Sequence, residues 1–194
     1  MKVLAFDPGK NHFAWAVVVL DVSGQAQVLH HGFLINVLHT LGDITDQTSN
    51  FCKEFKDIIK QADLDSSVDR IAVERFMHRP GFGKGAVGEF INIQIGMVAS
   101  TANIPVHLLP SSLWKNHMKR HYGTNDSLKL FDPYSKQGYK VHETDAMGIA
   151  VYCIEKETGK RLLQPVPQEI LDAAPAKAGR KRKTAKAAKT TKAK

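Results

Sequence analysis

A chain of 194 residues, 43% hydrophobic and 24% charged, has the length and composition of a soluble globular protein with one substantial core. Its longest apolar run, Phe13 to Leu20, is too short for a bilayer, and Asp7 interrupts the N-terminus before a signal-peptide hydrophobic region develops; both exclude membrane and secreted readings and point to a cytoplasmic protein without membrane partners. The net charge of +8 belongs to one end: nine basic residues and no acid lie from Lys177 onward, leaving 18 basic against 19 acidic residues before them.

Val3 to Asp7 is a short apolar run that ends in an acid and meets the turn dipeptide Pro8-Gly9, which predicts a strand and a turn. Phe13 to Leu20 and Ala26 to Leu34, parted by Ser23-Gly24, are rich in Val and other strand formers and extend this to a three-stranded meander. From Ile44 to Ile59 the apolar positions step by three and four, predicting an amphipathic helix. Val68 to Glu74 returns to strand character, with Ile71, Ala72 and Val73 suited to burial on both faces of a parallel strand.

Pro80, Gly81, Gly83 and Gly85 punctuate Arg75 to Gly85, which reads as a loop. Ala86 to Thr101 reads as a helix, Val106 to Leu109 as a strand and Ser111 to Tyr122 as a helix capped by Ser111 or Ser112. Gly123 to Gly138 is expected to be irregular, and His142 to Thr158 forms a final helix stopped by Gly159. No internal repeat is visible. Cys52 and Cys153 sit within apolar helical patterns and read as buried free thiols. The tail, almost entirely Ala, Lys and Thr, offers almost no large apolar residue to offset its ordering entropy and is expected to be disordered; a flexible polycation suits nucleic acid, although a solubility tail or an anionic-surface or nuclear-targeting segment has the same composition.

Asp7 and Glu74 each stand near the end of an apolar strand, where a carboxylate is poorly tolerated unless a cation is nearby. His142 and Asp145, three apart, share one face at the start of the last helix, and the small apolar stretch Ala146 to Val151 lets that helix approach the sheet. Carboxylates suit Mg²⁺, and the imidazole adds some preference for Mn²⁺; two such ions would serve phosphodiester hydrolysis. Each residue also has an ordinary explanation. Asp7 before Pro-Gly suits a turn, Glu74-Arg75 an ion pair, Asp145 a helix first turn and His142 an exposed helix start. Gly81-Phe-Gly-Lys-Gly85 lacks the full phosphate-loop pattern, since Gly85 follows Lys84, and Trp114, Tyr122 and the remaining histidines show no metal-ligand spacing.

Val3-Leu-Ala-Phe-Asp-Pro-Gly9, Ile71-Ala-Val-Glu-Arg-Phe-Met77 and His142-Glu-Thr-Asp-Ala-Met-Gly-Ile-Ala150, in this order, resemble the motifs of the RuvC-type Holliday junction resolvases in the ribonuclease H-like superfamily, with a phage- or virus-type member as the narrower expectation. The resemblance spans roughly residues 1–158. It implies an α/β ribonuclease H-like domain over 1–172, with a central mixed sheet in βββαβαβα order flanked by helices, and a basic Lys/Ala-rich tail over 173–194.

It also implies a catalytic and metal-binding set of Asp7, Glu74, His142 and Asp145, with His142 where the family commonly has an acid. There the histidine is expected to ligate metal or transfer a proton near the attacking water. Lys115 matches a phosphate-contacting lysine of the family, with Lys119 and Lys129 as looser candidates, although Lys119 and Arg120 equally suit a solvated helix face. The loop after the second acid matches a segment inserted at the junction centre, adding Arg75, Phe76, Arg79 and Lys84 as DNA-binding candidates; Phe76, Met77 or Phe82 would wedge against a base or else be core. The implied activity is paired, Mg²⁺-dependent nicking of four-way or branched DNA by a homodimer joined through Ala86 to Thr101, with two ions per site. The competing readings are a nuclease of the same fold that cuts RNA–DNA hybrids or flaps, and an architectural DNA-binding protein whose acids are structural.

Overall fold

The computed structural model describes residues 1–9, 12–35, 43–63, 67–75, 86–134 and 136–172. Five strands, β1 (Lys2–Pro8), β2 (His12–Leu20), β3 (Ala26–Ile35), β4 (Arg70–Glu74) and β5 (Val106–Leu109), form one sheet in the order β3-β2-β1-β4-β5. The first three are an antiparallel meander, while β4 runs parallel to both β1 and β5. Helices α1 (Asp43–Asp63), α2 (Ala86–Thr101), α3 (Ser111–Tyr122), α4 (Ser127–Phe131), α5 (Val141–Thr158) and α6 (Gln168–Asp172) complete the described elements. This is the expected ribonuclease H-like α/β architecture.

Strand alternation divides the interior in two. Leu4 and Phe6 of β1 and Ile71 and Val73 of β4 face α1 and α2, where Phe6, Phe13, Phe51 and Phe55 form a cluster of rings with centroids 5.2–6.1 Å apart. Val3 and Ala5 of β1 and Ala72 of β4 face α3 and α5 instead. Since successive side chains point to opposite faces, Asp7 and Glu74 emerge on the α5 side. Phe6 pairs with Val73, so these two acids are the next residues on adjacent parallel strands.

Helix α5 is the central helix, buried from Glu143 to Glu155. Its length is closed by Gly159 in the left-handed conformation (φ 71°), whose N–H bonds the Glu155 carbonyl. At the start, Glu143 accepts from the Lys140 backbone at 3.0 Å and from His31 Nδ1 on β3 at 2.6 Å, fastening the first turn to the sheet. Gly148 lies where Trp114 of α3 packs: a Cβ there would stand 2.8 Å from the indole ring. Further along, buried Glu155 accepts from His117 Nε2 at 2.6 Å, from Leu162 N at 2.8 Å and from the Tyr122 hydroxyl, tying α3 and the segment after α5 together.

Three expectations are corrected. Helix α3 has Pro110, not Ser111 or Ser112, at its N-cap and no side-chain cap, because the turn before it follows directly from β5. The stretch from Gly123 to Gly138 contains α4, capped by Asp126, whose side chain accepts from Leu128 N at 3.1 Å; the helix is too short to show a periodic pattern. Cys52 is only half-buried, although Cys153 is buried as expected. Among the described residues no helix is long and apolar enough to cross a membrane. The tail over 173–194 lies outside the described residues.

Candidate active site

The ends of β1 and β4 and the first turns of α5 bring Asp7, Glu74, His142 and Asp145 to one place. Each acid is fixed by a specific donor. His142 Nδ1 lies 2.6 Å from Asp7 Oδ2, Trp114 Nε1 donates to Glu74 Oε2 at 2.7 Å, and Asp145 accepts from Lys115 Nζ at 3.1 Å on Oδ2 and from the Ser127 hydroxyl on Oδ1. Asp7 and Asp145 are buried and Glu74 is half-buried, whereas His142 leaves 48% of its side chain exposed.

Burial beside acidic neighbours changes the acidity of Glu74 and Asp145. Burial, and then the charge of Asp7, push the Glu74 carboxyl up to about 7; the Trp114 hydrogen bond and Lys115 work in the other direction. Asp145 is also raised, by burial first, despite the Ser127 hydrogen bond that favours its ionised form. The hydrogen bond to Asp7 raises His142; for Lys115 burial alone would lower the pKa, but Asp145, Glu74 and Asp7 together raise it. The cluster therefore holds more negative charge than Lys115 and His142 comfortably neutralise, and an all-oxygen donor set plus one imidazole fits a hard divalent cation.

These four side chains do not form a tight single-ion cage. Among the described residues, the group of three ligands whose donor atoms all lie within 4.8 Å of one another is His107, Cys153 and Glu157. That group sits beside the N-terminal ends of β4 and β5, and its Glu157 is paired with Arg70 Nε at 3.0 Å, so an arginine already supplies its counter-charge.

The other expected residues divide. Lys115 joins the cluster, and Arg75 follows Glu74 directly with its side chain exposed and its N–H bonded to the Leu109 carbonyl at 2.8 Å. Lys119 is exposed one turn beyond Lys115 on α3. Lys129 Nζ donates to the Leu171 carbonyl at 2.9 Å, which ties α4 to α6. Phe76, Arg79 and Lys84, with Met77 and Phe82, lie outside the described residues. Sequence reasoning missed Trp114 and Ser127, the hydrogen-bond partners of Glu74 and Asp145. A buried indole needs an acceptor, so Trp114 next to a candidate lysine carried some signal; Ser127 carried none.

Strand order, the acids at adjacent strand ends and the acid-bearing helix laid across them define a ribonuclease H-like fold. Among solved structures, RuvC of Thermus thermophilus superimposes with a TM-score of 0.61 at 16% identity, covering 82% of this chain and 97% of that one. The T. thermophilus RuvC in complex with its Holliday junction substrate gives the same TM-score and coverage at 15% identity. The yeast mitochondrial Holliday junction resolvase Ydc2 matches more loosely, with a TM-score of 0.45 at 13% identity over 76% of this chain and 75% of that chain. No family model and no curated protein matches the sequence. The chain thus has the fold of the RuvC-type resolvases.

Proposed function

We propose that this protein is a divalent-metal-dependent endonuclease that nicks DNA at four-way or other branched junctions. The observation that carries the reading is the convergence of Asp7, Glu74 and Asp145 from two strand ends and one helix, with Glu74 pushed up to about 7 by burial and its acidic neighbours. Such a cluster is costly to fold unless a cation completes it. The RuvC fold, and the junction bound in one of the superimposable structures, support branched DNA as the substrate.

Asp7, Glu74 and Asp145 would hold Mg²⁺ or Mn²⁺, most simply as a pair of ions, with His142 as a fourth ligand or as a proton-transfer group. Bound metal supplies charge stabilisation for the phosphodiester and an acidified water. Ser127 and Trp114 keep Asp145 and Glu74 oriented. Lys115, held at Asp145, is placed to turn to a phosphate when metal takes over its partner. His142, bonded to Asp7 and half-exposed, is the group best placed to exchange a proton with solvent. Arg75 and Lys119 extend the positive rim, and Phe76, Arg79 and Lys84 are assigned to DNA as well. A homodimer would bring two such sites to a two-fold junction. The exposed side chains Glu89, Asn92 and Ile93 on α2 offer a surface for it.

Cleavage of a synthetic four-way junction, a flap, a plain duplex and an RNA–DNA hybrid tests the substrate. Preferred, Mg²⁺-dependent nicking of the junction is expected. Asp7→Asn, Glu74→Gln and Asp145→Asn should each abolish cutting while junction binding persists. Unchanged activity in Asp7→Asn would favour an architectural protein with structural acids.

A further inference from the structure

On the strand side of the candidate site, the sheet register builds a second group. Asp7, Ala14 and Phe33 are direct partners across β1, β2 and β3, so all three project from the same face, the one that carries α5. His12, two residues before Ala14, shares that face, and its ring centroid is 5.2 Å from that of Phe33. From the other side, Lys140 at the N-cap of α5 holds Nζ 5.1 Å from the Phe33 ring centre.

Phe33 is half-buried and belongs to none of the buried hydrophobic clusters, while His12 and Lys140 are exposed. The group is not required to anchor α5, because Glu143 already fastens the first turn through His31 and the Lys140 N–H. An aromatic ring flanked by an imidazole and an ammonium combines the two features that hold an unpaired nucleotide: a π-face for the base and positive charge for its phosphate. Two strand spacings separate Phe33 from Asp7, about 10 Å, close enough for one nucleic-acid strand to meet both.

We propose that Phe33, His12 and Lys140 form a nucleotide-stacking platform that holds an unpaired base of the DNA strand entering the catalytic acids. The platform rests on the nuclease reading for its substrate. Phe33 takes the base, His12 flanks it, and Lys140 moves from the ring to the neighbouring phosphate. The site thereby selects a strand that is locally unpaired, as at a branch point, over a continuous duplex.

The test is binding of the full chain, without divalent ions, to a single strand and to a four-way junction carrying a fluorescent adenine analogue that is quenched on stacking. Wild type should quench it. Phe33→Leu, which keeps apolar volume but removes the π-face, should lose the quenching and bind roughly tenfold more weakly. Phe33→Trp should restore both. The exposed Lys140→Gln should lower the salt slope of binding by about one phosphate contact. Quenching and affinity in Phe33→Leu equal to wild type, or an unchanged salt slope in Lys140→Gln, would overturn the platform. Because no metal is present, this outcome is independent of cleavage: loss of the platform leaves junction nicking to stand, and absent nicking leaves the quenching to be judged alone.

Discussion

Trp114 donates its indole N–H to Glu74 Oε2 at 2.7 Å, and the same ring lies where a side chain at position 148 would have to go. One buried residue of α3 thus couples the second acid of the site to the packing of the central helix. The consequences are separable by substitution.

Trp114→Phe removes the donor that favours ionised Glu74, and hydrogen bonds to charged groups contribute roughly 1.5–3 kcal/mol. The Glu74 carboxyl should move further up from about 7, carrying the acidic limb of the pH–kcat profile to higher pH. Activity should fall about tenfold at neutral pH and recover in base, which a merely structural defect would not do. An unmoved limb in a folded variant would remove Trp114 from the site.

The same acidity predicts how stability responds to pH. Folded Glu74 holds its proton up to about 7 against an ordinary 4.5, so the native state binds more protons than the unfolded chain across that window, and stability falls as pH rises through it. The gap corresponds to about 3 kcal/mol, or on the order of 10 °C in Tm. His142, raised by Asp7, acts in the same sense: its contribution is full below 6.5 and fades as pH climbs through its folded value. Thermal melts from pH 5 to 8 should show declining Tm, with Mg²⁺ restoring most of the loss at pH 7.5 and Glu74→Gln flattening the slope. A flat wild-type profile would contradict the coupling of these acids.

Gly148→Ala places a methyl group 2.8 Å from the Trp114 ring, deep between α3 and α5. Overpacking there costs about 1–3 kcal/mol, partly offset by the roughly 1 kcal/mol that alanine gains over glycine in a helix. Urea unfolding should therefore show a net loss, accompanied by the same alkaline shift as Trp114→Phe. Stabilisation would mean the indole moves aside freely.

Ser127→Ala takes one donor from Asp145 Oδ1. Groups that orient a metal ligand are typically worth ten- to a hundredfold in metal affinity. The Mg²⁺ concentration for half-maximal nicking should rise by roughly tenfold, with saturating kcat little changed. A fall in kcat at unchanged Mg²⁺ dependence would assign Ser127 another role.

Much of this molecule is legible in one dimension. The strand of Val3 to Asp7, the helices starting at Ala86 and Ser111 and the stop at Gly159 follow from period and turn chemistry, which are local. Asp7 and Glu74 stood out because an acid ending an apolar strand is costly, and His142 with Asp145 because three residues place two side chains on one helical face. Short α4 and α6 left no periodic trace, and the Pro110 N-cap was hidden by two more suitable serines beside it.

The sequence by itself determined the order of the five strands and of α1, α2, α3 and α5, the two-faced burial of β4 and the choice of candidate acids, because apolar patterning and helical period are properties of neighbouring residues. Only the tertiary structure decided that Trp114 serves Glu74, that Ser127 and Lys115 serve Asp145, that His31 fastens Glu143 and that Phe33 faces the same side as Asp7. Those relations depend on strand register and helix rotation, which are set by packing across 18 to 112 residues of chain and leave no mark in local pattern.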